Sequence, residues 1–237
     1  MGCRVNTSNP PILCRFSTRK PAFGIKTISL SSSGPNQSIS TTTLPQTDKY
    51  TVNFKTLGAC KLGISRYPDF EYNAQGGTGT GSGTATKTEK DYLNNEISVS
   101  FDVKTLYIPP LMTGTTKFLG LPLPPGLKID VVPELFQGSI DPDSGKVALE
   151  FLAKFWFSVG NIYKAPPLLV KTILTSEESN GVIRKGQGER LDREGNCRLV
   201  GVATVEPIDD VFMNNFLGLP TECLADLNAV ISFSNSS

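Results

Sequence analysis

The dominant pattern along the chain is a period-two alternation of apolar and polar positions. Ile97, Val99, Phe101 and Val103 alternate without a break, and Leu127, Ile129 and Val131 form a second set. Val52 with Phe54, then Cys60 with Leu62 and Ile64, show the same period between residues 50 and 72. Such spacing puts one face of a half-buried strand against a core. Phe136 to Phe157 predicts a hairpin that turns at Asp141-Pro142-Asp143-Ser144-Gly145, a run of strong turn formers. Its return strand carries Val147, Leu149, Phe151, Ala153, Phe155 and Phe157 on one face, with Leu152 and Trp156 on the other. A second hairpin is expected to join 182–191 to 198–205 through Asp192-Arg193-Glu194-Gly195-Asn196.

Two stretches break the pattern. Gly76 to Thr84 is almost wholly Gly, Ser and Thr, and 87–91 is polar, so 76–91 reads as a flexible loop. Thr221 to Leu227 suggests a short helix or turn with Thr221 as N-cap. The 17 prolines argue against long helices. The expectation is an all-β domain over 48–237, an antiparallel β-sandwich or β-barrel-like fold with few short helices. The pentapeptide Phe118-Leu119-Gly120-Leu121-Pro122 recurs as Phe216-Leu217-Gly218-Leu219-Pro220, each copy nine residues after a proline and before another strand. A duplicated β-unit would leave such an order, with a pseudo-twofold relation between the two copies.

Charge divides the chain unevenly. Residues 1–47 hold five basic residues, no acid, eight Ser and seven Thr. Such a segment has little apolar surface to bury and is expected to be disordered. Its composition resembles a chloroplast transit peptide, with a mitochondrial presequence as the alternative. Pro10-Pro11-Ile12-Leu13-Cys14 is too short for a secretory core. Without this leader the net charge of +1 becomes −4, which argues against a nucleic-acid partner. No apolar run approaches the roughly 20 residues of a membrane-spanning helix. The expected location is the plastid stroma or the stromal face of the thylakoid.

Candidate chemistry is thin. The chain has no histidine, which removes the commonest general base and metal ligand. Cys60, Cys197 and Cys223 lack metal-ligand spacing and read as small buried apolar residues, one disulfide among them remaining open. Asp141-x-Asp143-x-Gly145 opens like a calcium loop, but Leu152 stands where the closing Glu belongs, so a hairpin turn is expected. The Gly tract before Lys87-Thr88, and Gly186-Gln187-Gly188, lack the surroundings of phosphate or dinucleotide loops. No metal and no cofactor is expected. Asp130, Glu134, Glu150, Asp192 and the adjacent Asp209 and Asp210 supply carboxylates, and nothing in their spacing singles out a pair.

Binding fits the residues better. Phe151, Phe155, Trp156, Phe157 and Tyr163 concentrate on one segment and are the candidate ligand-binding set. Phe118, Leu121, Pro122, Leu123, Phe216, Leu219 and Pro220, on stiff apolar loops, are the candidate partner-docking set. The expectation is a non-catalytic plastid protein: a binding, assembly or scaffold factor associated with thylakoid photosynthetic complexes. The alternatives are a carrier of a lipid or pigment in an apolar interior, or a carboxylate enzyme. The expected partner is a protein or a small apolar ligand, with peripheral membrane contact allowed by the proline loops. A filled interior would favour docking, a hollow apolar one carriage, and a polar cleft with two carboxylates catalysis.

Overall fold

The computed structural model describes residues 46–87 and 96–235. The basic leader, apart from its last two residues, and residues 88–91 of the expected loop lie outside them. In chain order the elements are β1 (Gln46–Thr56), β2 (Cys60–Ile64), β3 (Phe70–Tyr72), β4 (Thr78–Lys87), β5 (Ile97–Phe101), β6 (Leu111–Met112), β7 (Thr116–Phe118) and β8 (Leu121–Pro122). Then come β9 (Leu127–Asp141), β10 (Lys146–Val159), β11 (Tyr163–Lys164), β12 (Leu168–Thr175), β13 (Glu178–Asn180), β14 (Lys185–Gln187) and β15 (Asn196–Val205). The helix α1 (Val211–Leu217) precedes the last strand, β16 (Thr221–Asn235). The fold is all-β with one short helix among the described residues.

Strands β1, β4, β5, β9, β10, β12, β15 and β16 pair in that order, each antiparallel to the next. β16 then returns to β1, from Tyr50↔Asn235 to Thr56↔Ala229, and closes an eight-stranded barrel. Closure removes the free edges that an open sheet would expose. Where β1 ends, Ala59 takes a left-handed φ of 55° and the chain re-enters as β2, which replaces β1 beside β16 from Asp226↔Lys61 to Cys223↔Ile64. β3, β7 and β8 extend the wall from β2, and β6 pairs with the start of β9. Within β9 the register slips by one residue opposite Leu152/Ala153, at Pro133 and Glu134. The bulge changes which parity faces inward, from Phe136 and Ile140 on one side to Leu127, Ile129 and Val131 on the other.

The Asp141–Lys146 turn forms as the sequence predicts. The Asp141 carboxylate accepts from the Asp143 and Ser144 backbone N–H groups and from the Ser144 hydroxyl, and these bonds hold its pKa below the usual carboxylate range. Its oxygens are occupied by the turn itself.

Three expectations need correction. The Gly/Ser/Thr tract is not a flexible loop: residues 78–87 are the barrel strand β4, laddered to both β1 and β5. Thr78, Thr80, Ser82 and Thr84 face out, while Gly79, Gly81 and Gly83 face the core, so the period-two signal is present with hydrogen in place of an apolar side chain. A Cβ on Gly81 would lie 2.5 Å from the Ser100 carbonyl oxygen and 2.9 Å from Phe101 Cα. The glycines let β5 approach and the Phe101 ring enter the interior. Residues 221–227 are not helical but open β16, each paired with β15, and the helix lies ten residues earlier. Residues 182–191 do not form a full hairpin strand. Glu189↔Arg198 bridges to β15, whereas the N–H groups of Val182, Ile183 and Arg184 are taken by the Glu222 carboxylate and 185–187, as β14, pair with β13.

Half of the barrel is solid. Val52, Val99, Phe101, Ile140, Val147, Leu149, Leu199 and Ile231 fill the end nearest the 141–146 turn. Phe54, Phe101, Phe136 and Phe151 stack and edge-pack in its middle, with ring centroids 4.6–5.9 Å apart. Replacing Gly81 by Ala should lower unfolding stability by about 1–3 kcal/mol through forced separation of β4 from β5. The outward Thr80→Ala change should stay within about 0.5 kcal/mol. Urea denaturation followed by circular dichroism compares the two.

Candidate functional site

Below the Phe54–Phe136–Phe151 layer the barrel is hollow. A cavity of about 590 Å³ runs from that floor to the end formed by the 65–69, 118–122 and 206–220 segments. Its walls come from inward positions of β9, β10, β12, β15, β16 and β2, including Ile129, Val131, Phe155, Phe157, Val170 and Ala203. Among the described residues no charged side chain lines it, and the polar ones are three Tyr, three Thr and one Cys. Most of these hydroxyls are already committed to the backbone. Thr56 donates to the Ala74 carbonyl at 2.6 Å, Thr172 to Val202 at 2.8 Å, Tyr67 to Phe216 at 2.6 Å, and Tyr72 to Pro109. A hydroxyl whose proton serves a carbonyl offers little to a ligand, so the interior behaves as hydrocarbon.

Helix α1 lies across the open end. Asp210 caps its N-terminus, accepting from Met213 N–H at 2.8 Å and from the Tyr163 hydroxyl at 2.7 Å. Those bonds hold the Asp210 pKa below its usual range, while burial and the Asp210 bond push the Tyr163 phenol up to about 12. Gly218, at φ 71°, closes the C-terminus in the left-handed conformation that favours glycine. Met213, Phe216 and Leu217 thereby point into the cavity.

The two copies of Phe-Leu-Gly-Leu-Pro meet at this opening in different local structures. In the first, Leu119 and Gly120 have φ of 51° and 79° and form the two-residue turn of the β7–β8 hairpin. In the second, the same letters end α1 and begin β16. Tyr67 stands between them, its ring 6.2 Å from Phe118 and 5.7 Å from Phe216. Phe70 stacks on Phe118 from the other side at 4.7 Å.

A polar network outside the wall holds the Tyr67 loop in place. Glu222 is only 8% exposed, and its carboxylate accepts from the N–H groups of Val182, Ile183 and Arg184 at 2.6–2.8 Å. Those bonds lower its pKa. Arg184 in turn pairs with Asp69 and donates to the carbonyls of Ile64 and Tyr67. Nothing in the spacing of these residues marked them beforehand, because the contacts span roughly forty to 120 positions.

Phe151, Phe155 and Phe157 line the cavity. Trp156 faces outward beneath the Lys164 ammonium, 5.0 Å from its ring, and Tyr163 is spent on Asp210 and α1. The alternation of β10 accounts for Trp156. Of the docking set, Phe118, Leu121, Pro122, Leu123, Phe216 and Leu219 line the cavity's open end, and Pro220 lines a shallow depression beside it with Arg66 and Glu222. Glu150 pairs with Lys171, Glu134 with Lys154 and Asp130 with Lys128, all outside the cavity. Cys60, Cys197 and Cys223 are free thiols. Burial raises the pKa of all three, to about 12 for Cys197 and about 11 for Cys223, which faces the cavity.

Fold and cavity define a closed antiparallel barrel with a solid half and a hollow, uncharged half. Comparison of the chain with family models, with curated proteins and with solved structures finds no match.

The depressed Glu222 pKa fixes a pH dependence. Its stabilising contribution is present above the ordinary carboxylate range and is lost as pH falls through the depressed value. Glu222→Gln should therefore lower the thermal midpoint at pH 7 by roughly a few degrees. The gap to wild type should narrow below about pH 4. Melts recorded across that range by circular dichroism check both the sign and the window.

Proposed function

We propose that the barrel holds one hydrocarbon-rich molecule and carries or shelters it within the plastid. The observation that supports the reading is the lining: about 590 Å³ of hollow interior without a charged side chain among the described residues. That volume falls within the roughly 300–1,000 Å³ of small-molecule sites. With no buried ionic anchor, recognition rests on apolar area and shape, which suits acyl or isoprenoid chains and polyene pigments. The expected docking module called for a filled interior with free proline loops. Here those loops form the rim of a hollow interior that is not filled, so carriage is the better reading, with a small apolar ligand as the partner. The plastid assignment is supported by the basic, hydroxyl-rich leader and goes with the proposal.

Native mass spectrometry of the protein purified from its own compartment should show an added mass of an apolar compound. In vitro, the uncharged fluorophore N-phenyl-1-naphthylamine should brighten on binding. Ala225→Phe, which puts a ring into the hollow from β16, should weaken that binding by roughly tenfold or more and leave the fold intact. Cys223, on the same wall, should alkylate more slowly when the fluorophore is bound. A wild-type protein that leaves the fluorophore in water, and that carries no added mass, would sink the carrier reading.

A further inference from the structure

The loop tips at the two ends of the barrel differ in kind. At the solid end the turns present Asp141, Asp143, Ser144, Asp192, Glu194 and Asn196. At the hollow end they present large apolar side chains: Val182 is 96% exposed, Ile162 93%, Val211 79%, and Leu119 and Leu121 70% each. Hydrogen bonds and ring contacts tie these tips into one rim. Gly160 donates to Gly126, Tyr163 to Asp210, and Arg184 to Tyr67, which touches both Phe118 and Phe216.

Leu119 is the least expected of them. A leucine at φ 51° is strained where glycine or asparagine would be at ease, and at 70% exposure packing does not account for it. An apolar side chain is thus held in water, at a conformational cost, beside the opening of an apolar cavity.

We propose that this rim seats the barrel, open end down, on an uncharged lipid surface, from which the cavity loads or into which it unloads. The proposal rests on the carrier reading, since a hydrocarbon cargo passes most readily between two hydrocarbon phases. The occupant follows from charge. Segments 65–69, 117–130, 160–168, 181–185 and 205–222 together hold six basic and six acidic side chains. Several are spent internally, as in Lys128–Asp130, Arg184–Asp69 and the Glu222 carboxylate on its three N–H groups. A balanced rim matches a neutral surface, where insertion of apolar tips and not attraction to anionic headgroups supplies affinity.

The test is flotation of the full-length protein with phosphatidylcholine vesicles, with and without added anionic lipid. Wild type should float with both, to similar extents. The triple variant Ile162→Asp, Val182→Asp, Val211→Asp changes tips that do not line the cavity, so it should keep N-phenyl-1-naphthylamine binding and lose flotation by roughly tenfold or more. Should the triple variant lose fluorophore binding as well, Val182→Ser with Ile183→Ser repeats the measurement and should reduce flotation with binding intact. Wild-type protein that stays at the bottom of the gradient overturns the proposal. So does flotation that needs anionic lipid, or that is equal in the variants, as attachment through the leader would give. A concentration-dependent dimer in gel filtration, abolished by the triple variant, assigns the rim to a second copy of the chain and also overturns it. Failure of the carrier reading shows separately, as flotation without fluorophore binding.

Discussion

The pairing of β16 with β1 is the constraint on which the other features stand. Seven residue pairs between Tyr50 and Thr56 on one strand, and Ala229 and Asn235 on the other, turn an open meander into a ring. β16 is 15 residues long and serves two neighbours in turn, β1 and then β2, so the wall continues past the point where β1 stops. Were that ladder lost, the inward faces of eight strands would open to water and the distinction between lining and surface would vanish. The hollow is therefore a property of the closed sheet and not of any one cluster of residues.

Closure leaves an interior that the chain fills at one end only. The glycines of β4 bring Phe101 close enough to join the stacked rings, and that half packs solidly. Below it the inward side chains line the wall without meeting. A dry void forfeits the dispersion contacts that its lining could have made, so an unfilled barrel is less stable than its strand pairing allows. Under the carrier proposal, a molecule that completed those contacts would bind the folded state and add to its stability by mass action.

Much of this was legible in the residues. Alternation at 97–101, 127–131 and 147–157 marked barrel strands, while Val103, which continues the first period, lies in the turn after β5, and the bulge in β9 went unread. The β4 tract was readable too, since Gly and Thr alternate as strictly as any apolar set, but composition suggested flexibility and hid the period. The helix went unread: Asp210 and Gly218 cap it, but Thr221 offered a similar N-cap signal and drew the expectation onto the strand that follows. The inward face of β10 pointed to Phe151, Phe155 and Phe157. What sequence could not supply was the hollow itself, which depends on how far apart opposite walls stand, and the Glu222–Arg184 network, whose partners are brought together only by the fold.

One line in the wall is built differently from the rest. Backbone pairing between β12 and β15 is confined to Thr175↔Val200; nearer the open end, Val202 donates to the Ser179 hydroxyl and accepts from the Thr172 hydroxyl. Two rotatable hydroxyl groups do there what backbone amides do along neighbouring seams. Rotatable hydroxyls follow a small change of spacing that a backbone ladder resists, so the girth of the hollow is pinned less firmly along this seam than along the β10–β12 and β15–β16 ladders that flank it.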